Sequence, residues 1–512
     1  MSPTGGGSSK GSSLGGRSSG GGIIDSVRGS IGEVGDSAVG RPSFLPLVLL
    51  LLAIIVVIAI AIWVFGALLG GGQEAVEEEA DVPMTLVDDP AQLDVSQRAE
   101  EEGVDIEVVR YNVQTESGEG RVSFSAVGDN IMNIELLEKA DANAGVADDG
   151  KYDFTPFYEK ISDEVSSYDI SFINQETVLG SDDDFAFAGY PSFNTPDDMY
   201  GTLVDAGWDI VNCNSNHTYD IGSNAIEHQI ELMEDYEDMV NLGMYGTEEE
   251  AKTIQVVDVN GISIAFLSYN QFVNGLEADQ VEDGSLVNLI DDEKLERDIP
   301  KAASVADVVV VSMHWGDEYV YEPNDYQQEY AQKCADLGAD LVIGTHSHSI
   351  QPTEWLEGKD GNKCLVAYCL GDFASHYTWV KCIFGYMLTC DFVKDDSGDV
   401  GIENVVLYPT VEHAEGDDYY VYLLKDYTPE MAAVNELFNT YNEGNTPEMS
   451  DDPYGYIVAT SEEVLGDEFK VMSTKDGPTG KGSSSKASSS DASSSEDAYD
   501  DDGYGEDYSS YE

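Results

Sequence analysis

Four of the seven histidines in the chain fall just beyond runs of apolar residues. His314 lies in VVVVSMHWGDEY, His346 and His348 in DLVIGTHSHSIQP, and His217 in IVNCNSNHTYDIG. Two further polar clusters hold the same kind of position: Gly128-Asp129-Asn130 after VSFSAV, and Asn174-Gln175-Glu176 after DISFI. Singly, each has a plain structural use; Asp129, for example, suits a turn or a helix N-cap. Together they offer carboxylate, carboxamide and imidazole, the ligand set of a divalent metal ion such as Mn, Fe or Zn. The His-x-His pair adds to this, because alternate residues of an extended segment face one side and can share a metal. Metal-dependent hydrolysis is the chemistry such a set supports.

Those residues need strand ends to hold them. The residue pattern predicts strands over 122–128, 169–174, 209–214, 308–314, 340–344 and 365–370. It predicts helices over 157–167, 196–206, 221–236, 291–304 and 326–337. Alternating strands and helices make an α/β domain. In such a sheet, ligands bind in the crevice beyond the carboxyl ends of the strands, which is where the polar clusters sit. Asn260-Gly261 inside IQVVDVNGISIAFLSYN predicts a hairpin, and a second is expected across 386–409, turning at DDSGD.

The ordered series AVGDNIMN, FINQETVLG, NSNHTYDIG, HWGDEY, GADLVIGTHSHSIQP and YCLGDF resembles the CapA family of poly-gamma-glutamate capsule biosynthesis proteins. The resemblance covers about 121–375 and implies a metallophosphatase-like α/β sandwich, membrane-anchored and extracellular, related to calcineurin-like phosphoesterases. Carried over residue by residue, it makes Asp129 the first-motif ligand and Glu176 a carboxylate able to bridge two metals. Asn216 becomes a ligand, His217 the group that protonates a leaving group, and His314, His346 and His348 the remaining imidazole ligands. This chain departs from the family at three places. Asn130 and Ile131 stand where the phosphoesterase Asp-x-His would have its second ligand, Asn133 stands where close relatives often have His, and Asp372 replaces the usual Asn of Leu-Gly-Asn-Phe.

Other candidates have blander readings. His228, inside AIEHQIELMED, reads as a surface residue, and His376 and His413 have no partner in sequence, although His376 follows LGDF closely enough to rim the site. Trp315 and Tyr319 beside His314 either line a pocket or pack in the core. The six cysteines (213, 334, 364, 369, 382 and 390) include no CxxC pair, which argues against a zinc ribbon or a thioredoxin motif. Cys382 and Cys390 could pair outside the cell, but their spacing carries no geometric warrant.

Across the whole chain, 512 residues carry 24 Lys plus Arg against 99 Asp plus Glu, a formal charge of −75. So acidic a surface repels phosphate backbones, and no nucleic-acid partner is expected. Residues 44–69 are 26 residues without a charge, about 39 Å as a helix and enough to span a bilayer. Lys10, Arg17, Arg28 and Arg41 precede the span, whereas Glu74, Glu77, Glu78 and Glu79 follow it. The basic flank places the N-terminus in the cytoplasm and everything beyond about residue 72 outside the cell. The expected organisation is a disordered Gly/Ser-rich tail (1–43), the membrane helix (44–69), an acidic stalk (72–119) and the CapA-like metallophosphatase-fold domain (121–413). An accessory region of unknown role (414–472) and a disordered acidic tail (475–512) follow. Expected partners are the membrane and, through the resemblance, an anionic capsule polymer or its synthase complex. Two functions remain open: a metal-dependent hydrolase-like enzyme of the capsule pathway, and a non-catalytic module that handles polymer or cell wall on the same fold. A general metallophosphoesterase is a third, resting on distant kinship alone.

Overall fold

Ile170–Gln175 and Val308–His314 are buried at every position, as strands covered on both faces must be. They are central strands of two sheets in a computed structural model. It describes residues 107–477 and the pair Thr85–Leu86, apart from short internal stretches of which the longest are 277–285 and 440–450. In chain order the strands are β1 (Thr85–Leu86), β2 (Val108–Val113), β3 (Arg121–Asn130), β4 (Ile170–Gln175), β5 (Ile210–Asn212) and β6 (Val240–Leu242). Then come β7 (Ile254–Val259), β8 (Ile262–Asn270), β9 (Val308–His314), β10 (Leu341–Thr345), β11 (Thr353–Glu357) and β12 (Lys363–Ala367). The last five are β13 (Asp372–Ala374), β14 (Tyr386–Lys394), β15 (Val400–Glu415), β16 (Asp418–Leu423) and β17 (Lys470–Val471).

One sheet has the order β1-β2-β7-β8-β9-β10-β12-β11. The other runs β16-β15-β14-β3-β4-β5-β6, with β13 against β3 and β17 against β15. The sheets share a core to which β3 gives Val122 and Phe124 and β8 and β9 give Ile264, Phe266 and Val310. The rings of Phe124 and Phe266 meet there with centroids 6.4 Å apart. Helices α1 (Ile134–Asn143), α2 (Asp198–Asp205), α3 (Ser223–Glu234), α4 (Asp292–Val305), α5 (Asp325–Leu337) and α6 (Pro453–Val464) pack around the sheets. Leu295 and Ile299 of α4 and Ala331 and Cys334 of α5 cover Val309, Val311 and Val342 of the first sheet. The architecture is an α/β sandwich.

Strands β3 to β6 pair in parallel, and so do β8, β9, β10 and β12. At the amino ends of four of these strands an aspartate caps the neighbouring strand. Asp169 accepts from the N–H and Oγ of Ser123 at 2.7 and 2.9 Å, and Asp209 from the N–H of Ser171 at 2.7 Å. Asp307 accepts from the N–H and Oγ of Ser263, both at 3.0 Å, and Asp340 from the N–H of Val309 at 2.8 Å. The carboxyl ends are left for function.

Most expected elements are present with shifted ends. The 254–270 hairpin is β7–β8, turning through Asn260 and Gly261 with φ of 51° and 78°, the left-handed pair a tight turn of this kind demands. The second hairpin is β14–β15. Helix 157–167 is instead two single turns, Thr155–Tyr158 and Ser162–Val165, because Ile161 between them leaves the helical region at φ −130°. The helix Ile134–Asn143 is additional to those expected, its apolar stripe being only Leu136, Leu137 and Ala140. The boundary expected at 413/414 falls inside β15, and the accessory region adds β16 and β17 to the same sheet. The end of the expected stalk is β2, paired in parallel with β7. The expected membrane span lies outside the described residues; among those described, no helix is long and apolar enough to cross a membrane.

Candidate metal centre

The carboxyl ends of both parallel sets deliver polar side chains to one buried point. Asp129 ends β3, Glu176 follows β4, Asn216 and His217 follow β5, His314 ends β9, and His346 and His348 follow β10. All seven are buried, and His217 at 7% is the most exposed of them. Asp129, Glu176 and His314 bring ligand atoms within 4.8 Å of one another, as do Asp129, His348 and Asp372. A third group joins His346 and His348 to Glu318 on the exposed rim.

A chain of amides orients Asp129. Ser268 donates to Asn212 at 2.5 Å, Asn212 to Asn174 at 2.6 Å, and Asn174 to Asp129 Oδ1 at 2.7 Å. Each amide has its donor and acceptor ends assigned by its neighbours. Asp129 Oδ2 accepts the backbone N–H of His346 at 3.1 Å. His314 is held by Thr345 Oγ1 at 2.9 Å on Nδ1 and donates from Nε2 to Asn216 Oδ1 at 2.9 Å. The His-x-His segment is not extended: His346 and His348 take φ of 93° and 51°, in the left-handed region. Strand alternation is therefore not what gathers them. The sparsely populated backbone does so, at a cost of about 1–3 kcal/mol per residue that the surrounding packing must offset.

Several atoms in this centre lack partners. Both carboxylate oxygens of Glu176, Nδ1 of His346 and Oδ2 of Asp372 are buried with no hydrogen bond. A buried, undonated carboxylate costs several kcal/mol unless a cation or a proton neutralises it. Burial first, then the charge of Asp129, raises the pKa of Glu176 well above the usual carboxylate range. Burial lowers His314 and His346 far below the ordinary imidazole value, and neighbouring histidines lower them further, so both stay neutral. Nδ1 of His346 has no hydrogen-bond partner, whereas a metal on His314 would displace the proton that Nε2 gives to Asn216. At His348 burial pulls the same way, but the Asp372 and Glu176 carboxylates outweigh it and raise the pKa well above normal. Asp372 is raised as well, chiefly by burial, although one proton cannot sit on both partners. We place that proton on His348, because Asp129, Glu176 and Asp372 all lie against its ring. A cation fits this donor set: it would satisfy the open oxygens and displace the proton.

His217 stands apart from the ligands. Its Nδ1 is 2.7 Å from Asp220 Oδ2, which leaves Nε2 as the nitrogen available for proton transfer. Phe193 packs edge-on against the ring at 4.7 Å. Asp220 is a functional residue that the sequence reading lacks, although His-Thr-Tyr-Asp has the spacing of one turn. Asp372 stands in that reading as a mere departure, because only the sheet shows that this residue lies beside Asp129.

The remaining expectations sort cleanly. Trp315 is core, its indole N–H donating to the Tyr368 carbonyl at 2.9 Å, while the Tyr319 ring lies 5.8 Å from that of His348 and lines the site. His228 is half-buried and paired with Asp197 at 2.8 Å, and His413 with the Tyr427 hydroxyl at 2.8 Å. His376 lies outside the cluster, its backbone N–H donating to Glu412 at 2.7 Å. Cys382 and Cys390 are both free and buried, as are the other four cysteines.

A family model described as "Bacterial capsule synthesis protein PGA_cap" matches residues 123–377. The "PGA biosynthesis protein CapA" of Bacillus subtilis (strain 168) is 32% identical over 181 residues, 35% of this chain and 46% of that protein. The "Capsule biosynthesis protein CapA" of Bacillus anthracis is 31% identical over 184 residues, covering 35% and 43%. The match thus spans less than half the length of either relative. Among solved structures, a putative 5′-nucleotidase from Staphylococcus aureus in complex with alpha-ketoglutarate aligns with 65% of this chain and 57% of its own, at 14% identity and a TM-score of 0.35. A hypothetical protein from Thermus thermophilus aligns with 56% of this chain and 98% of its own, at 15% identity and a TM-score of 0.32.

Proposed function

We infer, from the premise that the chain carries a domain of the bacterial capsule synthesis protein family, that this domain is a metal-dependent hydrolase-like centre. It would serve the synthesis of capsular poly-gamma-glutamate on a metallophosphatase-like scaffold, held outside the cell by one span at 44–69. Glu176 carries the catalytic part of this reading, since a fully buried carboxylate with two undonated oxygens calls for a proton or a cation to neutralise it, and a cation would also satisfy both oxygens. Asp129, Glu176, Asn216, His314, His346 and His348 would hold a divalent ion, Mn, Fe or Zn. When bound, such an ion supplies a Lewis acid and a water of lowered pKa.

The chain's own groups do the rest. Asp220 fixes the tautomer of His217, and Phe193 fixes the plane of its ring. His217, the least buried of the seven, thereby presents Nε2 at the mouth of the site for a proton passing to or from a substrate oxygen or nitrogen. The amide chain from Ser268 keeps Asp129 from turning away.

A non-catalytic polymer-handling module is the second reading, and one observation favours it. Asn130 spends its side chain on Gln175 and the Tyr158 hydroxyl, and residue 131 is Ile, so the first motif delivers a single ligand. Metal content and turnover on phosphoester and gamma-glutamyl substrates, measured for wild type and His217→Asn, separate the two. The enzyme reading expects equal metal and at least about a hundredfold loss of turnover. If wild type turns over neither substrate and His217→Asn still supports capsule formation in cells, the module reading stands instead.

A further inference from the structure

Asp129 needs a companion that its own segment does not provide, and the chain brings one from the distant strand β13. Strand β13 runs parallel to β3 with Asp372 in register with Asp129. The two strands approach closely only because glycine precedes each aspartate. A Cβ on Gly128 would lie 1.9 Å from the Gly371 carbonyl oxygen, and Gly371 itself turns at φ 74°. Two Gly-Asp steps therefore abut, backbone to backbone, and both carboxylates enter the same buried space.

Asp372 is fully buried. Its Oδ1 accepts from His348 Nδ1 at 2.9 Å, and the same nitrogen is 3.5 Å from Asp129 Oδ2. Its Oδ2 has no hydrogen-bond partner. Among the described residues, the ion pairs of Asp129, Glu176 and Asp372 are all with His348; no lysine or arginine reaches them. One imidazole thus faces three carboxylates, and the second carboxylate oxygen of Asp372 is buried with nothing donated to it.

Resting on the metal reading above, we propose that Asp372 is itself a metal ligand, completing with Asp129 and His348 a cation position separate from that of Glu176 and His314. Asp129 belongs to both groups and joins the two positions. The purely structural alternative is that Asp372 only holds the His348 ring, a task that a carboxamide oxygen at 372 would also perform. Asp372→Asn therefore removes charge and ligand strength while retaining an acceptor for Nδ1.

The test is titration of the metal-stripped, purified full chain with Mn by calorimetry and equilibrium dialysis, for wild type, Asp372→Asn and Glu176→Gln. The proposal expects two cations in wild type. In Asp372→Asn, one should be unchanged and the other lost or bound at least about tenfold more weakly. Unchanged number and affinity in Asp372→Asn, with cation lost in Glu176→Gln, overturn the role of Asp372 and leave the metal reading intact. A wild type that binds no cation overturns both. Should Asp372→Asn fail to fold, Asp372→Cys with Cd decides, because thiolates favour soft metals. A thiolate-to-cadmium absorption band beyond that of wild type, whose six cysteines are buried, supports ligation. Its absence in a folded protein overturns it.

Discussion

Asn174 shows how a residue that holds no metal can govern a site. It accepts from Asn212 on one side and donates to Asp129 on the other, so its removal leaves a buried donor on Asn212 and a freed carboxylate on Asp129. Asn174→Ala should destabilise the fold by about 1–3 kcal/mol and weaken cation binding about 10–100-fold, read by thermal unfolding and by Mn titration. A variant that keeps wild-type affinity would make the amide chain a bystander. The first-rank groups are legible in the sequence because apolar runs ending in His, Asp or Glu announce strand ends. Asn174 is legible only as part of a cluster, since an amide's role depends on what lies across the sheet. Asp372 is hidden for the same reason: its partner Asp129 is on a distant segment. His346 and His348 follow from an argument about strand alternation that their left-handed backbone does not obey.

At the level of elements, the sandwich has two unlike ends, one lined by capping aspartates and the other by the candidate metal centre. The capping motif repeats in the sequence as Asp immediately before Ile, Val or Leu runs, at 169, 209, 307 and 340, yet only pairing shows what each carboxylate caps. Asp340 is the informative case, because Val309 offers it a backbone N–H and no hydroxyl. Burial raises its pKa to about 6 from the usual 3.8. The folded state therefore favours the protonated form. That contribution is complete below the usual value and is lost as pH rises through about 6, where the ionised group costs up to about 3 kcal/mol. Asp340→Asn keeps the acceptor and removes the charge. Its melting temperature should exceed that of wild type at about pH 8 and match it near pH 4; a pH-independent difference would refute the account. Strands with fully apolar cores can be read nearly to the residue, as at Val308–His314. The helix Ile134–Asn143 escapes because its ten residues bury only three apolar side chains, too few to show a period.

For the whole molecule, charge and topology make a joint claim. With a basic flank before 44–69 and an acidic flank after it, protease added to intact cells should digest residues beyond about 72 and spare the N-terminal tail. Protection of 500–512 in intact cells would reverse the orientation. The abutting Gly-Asp steps bear on how such a chain matures. The first and last segments of the centre must meet before the group of Asp129, His348 and Asp372 is complete, so the long loop between them must close before that group can form. A chain threaded outward through a membrane would arrive with its ligands scattered, and whatever ion it finally holds would be drawn from the medium on the far side. Cation capture would then mark the end of folding.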